Sequence, residues 1–270
     1  MSQAQPSSIQ PPQSASMLTV ALVGIAAGFL SGMFGVGGGI LIVPGLVLIA
    51  KMDQRIAHGT SLAAVLPISA ASLVTYWSHD HVDYRVGACL AAGALVGAIL
   101  GTKLLNVLPH RVLAIAFAGI LLVTAVRLFL PIESGTRGVL TVGNIIALVV
   151  IGVATGILAG LLGVGGGIIM VPAMMMLLQL PAALAKGTSV LVIIPTSLMG
   201  TYRNRTKKNV DLRAAAAVGL SGIPSAIIGG WISARMSDTV SNVLFASLLV
   251  VVAIRLVLQI RSDDKAGIVH

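Results

Sequence analysis

The residues in this sequence that could do chemistry are mostly glycines, and the chemistry would be that of bare backbone. Gly35, Gly37, Gly38 and Gly39 fall within one run of five, and Gly163, Gly165, Gly166 and Gly167 repeat it. Glycine takes positive φ readily and costs a helix interior roughly 1 kcal/mol per residue against alanine. Such a cluster should melt a helix and expose N–H and C=O groups. At membrane depth that backbone is tolerated only inside protein or beside water. The half-helices beginning at Ile40 and Ile168 would then point their first amides at a negative solute. The competing reading is packing, because small residues let helices approach closely. A nucleotide loop is disfavoured, since no Lys-Ser/Thr pair follows the glycines.

Two basic residues share one local context. His58-Gly59-Thr60-Ser61 and Lys186-Gly187-Thr188-Ser189 each open an apolar run. A cation at a helix N-terminus is unfavourable by roughly 0.3–1 kcal/mol, and a bound anion reverses that sign. The hydroxyls of Thr60, Ser61, Thr188 and Ser189 could donate to the same anion, or simply cap the helix. An interfacial basic flank is the plainer alternative. Pro67 and Pro195 each free one backbone carbonyl and are expected to kink their helices.

The acidic residues are Asp53, Asp80, Asp83, Glu133, Asp211, Asp238, Asp263 and Asp264, all at expected helix ends, loops or tails. Cation carriers usually place a carboxylate inside the membrane, so its absence argues against a cationic substrate. Cys89 is the single cysteine, which leaves no disulfide and no thiol metal site. No metal and no cofactor is expected.

The elements that must position these residues follow from composition. The chain is 57% hydrophobic and only 9% charged, against roughly 25% charged for a soluble domain. The bilayer is the solvent that tolerates this. The apolar runs are long and continuous, which excludes the alternation of a membrane barrel. The net charge of +9 sits between apolar runs and lacks a basic–aromatic stripe, so no nucleic-acid partner is expected. The partners expected are the lipid bilayer and a small anionic solute. Whether the glycine faces Gly24/Gly28/Gly32 and Gly93/Gly97/Gly101 pack within the chain or build a homo-oligomer stays open.

The strongest organisational signal is an internal repeat. The block from Gly28 to Pro44 returns as Gly156 to Pro172, a spacing of 128 residues. The same register brings Pro67 onto Pro195, Val82-Asp83 onto Val210-Asp211, Gly101 onto Gly229, Phe117 onto Phe245 and Arg127 onto Arg255. The expected layout is a disordered tail (1–16), a first membrane repeat (17–132), a linker (133–144), a second repeat (145–260) and a C-terminal tail (261–270). Each repeat reads as a glycine-broken first segment followed by three spanning helices, with Pro109 at a helix start. The fold class is therefore an all-α polytopic membrane protein.

The orientation of the repeats depends on the break. A single crossing through it would make the copies parallel, whereas a hairpin would invert them. The loop 203–213 carries Arg203, Arg205, Lys207, Lys208 and Arg213, whereas its partner near 79–85 has only Arg85. That mismatch favours inversion and a cytoplasmic 203–213 loop.

The repeated glycine block, with the later His/Lys-Gly-Thr-Ser and proline, resembles the sulfite exporter TauE/SafE family over nearly the whole chain outside its tails. The resemblance implies a multi-pass inner-membrane transporter moving sulfur-containing anions such as sulfite or sulfoacetate. It carries over no catalytic signature. The function expected is a secondary transporter of a small anion, bound near the midplane at the paired glycine breaks. A non-transporting scaffold or assembly factor is the alternative. An intramembrane hydrolase built on Gly219-Leu-Ser221-Gly222 is the weakest reading, because the only later histidine is His270.

Overall fold

The computed structural model describes residues 17–104 and 140–265, with scattered positions between 115 and 129. The expected tail 1–16, Pro109, Glu133, Phe117, Arg127 and residues 266–270 lie outside the described residues, as does most of the third spanning helix of the first half. The described residues are helical and contain no strand. Nine helices are described: α1 (Met17–Phe34), α2 (Gly39–Leu48), α3 (Gln54–Trp77), α4 (Tyr84–Leu104), α5 (Val142–Leu162), α6 (Gly167–Leu178), α7 (Ala182–Thr206), α8 (Leu212–Arg235) and α9 (Asp238–Lys265). Seven of them are long and apolar enough to cross a membrane, while α2 and α6 are short. The chain is a multi-pass helical membrane protein.

Boundaries follow local chemistry. Asp53, Asp83 and Asp211 each accept hydrogen bonds from amides two and three residues on, capping α3, α4 and α8. The helix α5 opens one residue after Thr141, inside the expected linker, and α9 continues to Lys265. The helix α7 carries Arg203 and Arg205 in its last turn, so the basic loop is shorter than the sequence suggests.

Helix directions are fixed by close contacts at glycine. A Cβ on Gly24, Gly28 or Gly32 would collide with atoms of Ser221, Gly222/Ser225 and Ala226 in turn, which makes α1 and α8 parallel neighbours. Gly93, Gly97 and Gly101 meet Val149, Val153 and Ile157 in the same ascending order, so α4 and α5 are parallel as well. These glycine faces pack within the chain. Gly187 lies against Tyr76 and Gly200 against Leu62, so α3 and α7 run antiparallel. Gly219 meets Pro67 and Gly230 meets Thr75, setting α8 parallel to α3. Thus α1, α3 and α8 run one way and α4, α5 and α7 the other. The helix α2 turns back along α1, with Gly38 beside Ala27 and Gly45 beside Val23.

Lipid tails are as apolar as leucine, so these interfaces rest on van der Waals fit rather than on hydrophobic burial. Backbone-to-backbone approach admits no side chain. Gly97→Leu should cost about 1–3 kcal/mol or more by overpacking and lower both the monodisperse yield and the melting temperature in detergent. Val96→Leu, at a position 52% exposed, should leave both unchanged.

Candidate functional site

The two glycine clusters are breaks in the structure. Gly35, Gly37 and Gly38 have φ of 68, 80 and 73°, and Gly163, Gly165 and Gly166 have 66, 82 and 80°. Six positive φ values in two short loops demand glycine. The helix α2 starts on Gly38 and α6 on Gly166, each without a capping side chain. Residues 35–39 are all buried, so the irregular backbone lies in protein rather than lipid.

The breaks lie side by side in opposite directions. A Cβ on Gly39 would sit 2.6 Å from the Gly163 carbonyl oxygen, and one on Gly167 would sit 2.6 Å from that of Gly35. At the centre of the crossing, Gly37 and Gly165 both face Val65 of α3 and Ile193 of α7, near the middles of those long helices.

Matched serines hold the breaks. Ser61 Oγ donates to the Gly163 carbonyl and Ser189 Oγ to the Gly35 carbonyl, both at 2.9 Å. Matched threonines brace the flanks. Thr60 Oγ1 accepts from the Asp211 amide and Thr188 Oγ1 from the Asp83 amide, again both at 2.9 Å. Thr188 also donates to the Leu184 carbonyl. The four hydroxyls singled out from the sequence therefore have protein partners, and each serine reaches the glycine break of the other half. Pro67 and Pro195 lie inside α3 and α7, and Pro67 packs on Gly219.

His58 and Lys186 differ more than their shared motif suggests. His58 is half-buried, and its Nδ1 donates to the Leu161 carbonyl at 2.8 Å beside Gly163. Lys186 is 1% exposed, and its backbone abuts Gly35. Its ammonium donates to Ser233 Oγ at 3.1 Å and to Ser241 Oγ, and it lies 5.6 Å from the centre of the Phe34 ring. The Tyr76 hydroxyl donates to the Gly32 carbonyl at 2.6 Å and lies 3.3 Å from Ser233 Oγ, within hydrogen-bond reach. Phe34 stacks on Phe245 at 5.5 Å. Four helices and the edge of a glycine break thus converge on one buried ammonium, which is bonded to hydroxyls.

Sequence reasoning missed Tyr76, Ser233, Ser241 and Phe34. At the 128-residue register their counterparts are Asn204, Leu105, Leu113 and Leu162, so the repeat gives no signal for them. Ser221, the nucleophile of the weakest reading, donates to the Ala21 and Val218 carbonyls. Among the described residues no three His, Cys, Asp or Glu side chains gather as metal ligands.

The model of the sulfite exporter TauE/SafE family matches residues 2–128 and 147–268. The chain belongs to that family. It is 27% identical over 268 residues to the probable membrane transporter protein YunE of Bacillus subtilis, covering 88% of this chain and 95% of the relative. A probable membrane transporter protein of Xylella fastidiosa is 29% identical over 84% of this chain and 89% of its own length. The archaeal MJ0441 of Methanocaldococcus jannaschii, also a probable membrane transporter protein, is 25% identical over 88% of this chain and 94% of its own. No solved structure matches. Like these relatives, this member of the TauE/SafE family is a membrane transporter.

Two outcomes test the site's architecture. Ser189→Ala leaves the buried Gly35 carbonyl without its hydroxyl donor and should cost about 1–3 kcal/mol. Ser61→Ala should cost about the same, since it removes the matched bond, and paired thermal melts compare the two. The second outcome concerns the α3–α4 connection, which abuts Gly187 through the His81 carbonyl. Burial and the neighbouring His79 hold the His81 ring below its usual value near 6.5. The folded state thus favours the neutral ring. Its stabilisation is complete above that value and is lost as pH falls through the lowered folded pKa. Melting should fall on acidification below about pH 6.5, and His81→Gln should flatten that slope.

Proposed function

We propose that this protein is a secondary transporter that carries a small anion, a sulfur oxyanion or organosulfonate, through the crossing of its two glycine breaks. The observation that carries the reading is Lys186. Burying an ammonium costs several kcal/mol even after relaxation. Here its bonded partners are neutral serine hydroxyls, with a phenylalanine face nearby. Asp238, at the start of α9, contributes to its electrostatic surroundings. An anion arriving beside Gly35 would complete the ammonium's shell and draw on the first amides of α2, which no side chain caps. His58, Thr60, Ser61 and Gly163–Gly167 shape the corresponding end of the path in the other half, and Gly35–Gly39 with Thr188 and Ser189 shape this one.

The two halves, 17–132 and 145–260, are inverted copies in this reading. The support is directional. At the 128-residue register α1 corresponds to α5, α3 to α7 and α4 to α8, and each pair runs in opposite directions. Inversion gives a transporter two similar vestibules, opened alternately around one midplane site. Lys51, Arg55, Arg203, Arg205, Lys207, Lys208 and Arg213 gather at the face where α1, α3 and α8 begin. Among the described residues, Arg85 and Arg235 are the arginines of the opposite face. The basic face is then cytoplasmic and the Lys186 end opens outward. The protein lies in the inner (plasma) membrane.

A scaffold has no use for a buried cation held by hydroxyls, and it moves no solute. The test is flux of radiolabelled sulfite into proteoliposomes. Wild type should show saturable flux without ATP. Lys186→Met should reduce it by at least ~30-fold, the scale of losing one buried charged contact. Its melting temperature should hold or rise, because an apolar residue of similar volume removes a desolvation cost. Lack of wild-type flux for sulfite and for small sulfonates would leave the scaffold.

A further inference from the structure

Two fully buried hydroxyls on the central helices have no partner among the described residues. They are Ser69 Oγ on α3 and Ser197 Oγ on α7, both on residues with no solvent exposure. They are counterparts at the 128-residue register. A serine inside a helix can donate to the carbonyl one turn back. Ser72, Thr75 and Thr196 on the same two helices do so. Ser69 and Ser197 do not.

Their placement is as telling as their lack of partners. Ser61, Val65 and Ser69 follow at steps of four along α3, and Ser189, Ile193 and Ser197 do so along α7. Ser61 and Ser189 hold the glycine breaks, and Val65 and Ile193 face the centre of the crossing. Steps of four stay on one helix face. Ser69 and Ser197 therefore continue the faces that meet the breaks, one turn past the centre. Because α3 and α7 are antiparallel, the two serines fall on opposite sides of the crossing. Ser69 lies toward the end of Tyr76 and Lys186. Ser197 lies toward the end of Leu62 and Gly200. One turn further, the Thr201 Oγ1 is also buried without a partner.

We propose that Ser69 and Ser197 are substrate-binding residues, hydroxyl donors that receive a small oxyanion in turn on either side of the glycine crossing, with Thr201 next along the inward side. The inference rests on the anion-transport reading above and adds the mid-depth steps of the path. A buried hydroxyl without a partner costs free energy and serves no packing purpose that alanine would not serve. A hydroxyl suits an oxyanion in transit, since it donates one bond and adds no charge to trap the ion. Lys186 draws the ion in. The uncharged serines let it continue, as conduction through successive sites requires binding weak enough to leave.

The variants Ser69→Ala, Ser197→Ala and the double variant test this in proteoliposomes, with radiolabelled sulfite as the probe. Each single change should raise the half-saturating sulfite concentration roughly tenfold, the scale of one hydrogen bond to a charged group. The melting temperature without sulfite should stay or rise in every variant, which a structural role for the hydroxyls would not give. Ser69→Thr, which keeps a hydroxyl, should retain more of the affinity than Ser69→Ala. Unchanged half-saturation in the double variant, alongside wild-type flux that Lys186→Met abolishes, overturns the serine assignment and leaves the anion reading standing. Wild type without flux overturns the anion reading itself. A melting temperature that drops in both alanine variants also overturns the assignment, because it makes the hydroxyls structural.

Discussion

Backbone hydrogen bonding at membrane depth is the constraint from which the rest of this structure follows. A chain in hydrocarbon must satisfy its own N–H and C=O groups, and a helix does so without help. Two breaks of that rule, at Gly35–Gly39 and Gly163–Gly167, therefore need surrounding protein. The long helices α3 and α7 supply it. Each sends a serine to a carbonyl in the break of the other half, and together they wall the crossing with Val65 and Ile193. The half-helices α2 and α6 begin from these breaks with uncapped amides. In the function we propose, the same backbone that threatens the fold is what the protein offers to a solute.

The exchange of support between the halves explains the packing at the periphery. The helix α1 packs along α8 of the second half, and α5 along α4 of the first, through glycines that let backbones touch. Asp83 and Asp211 cap their helices while their own amides donate to Thr188 and Thr60 of the opposite half. Such cross-bracing ties each glycine break to helices from both halves. A displacement of one half would thus be felt at both breaks, which is the coupling that the transport cycle we propose requires.

Against this near-symmetry the charge distribution is lopsided. One half places Lys186 among Ser233, Ser241 and Tyr76, while the other places His58 against a carbonyl. A carrier whose two ends are chemically different can bind its solute with different strength on each side.

The sequence alone determined the membrane environment, the helical class and the glycine breaks. Composition and run length decide the first two, and glycine's freedom at positive φ decides the third, all without reference to distant residues. It also held Ser69 and Ser197 in plain register, but nothing in a serine's name reveals whether its hydroxyl already has a partner. Partnering is a property of space. Only the tertiary structure decided that the motif serines hold the breaks, that the glycine faces pack within the chain, and that Lys186 lies among residues 47 and 55 positions further on. Those contacts join helices far apart in the chain, and the surroundings of Lys186 differ from those of His58 in the other half. Neither periodicity nor the repeat could signal them, because the physical cause is the antiparallel crossing itself.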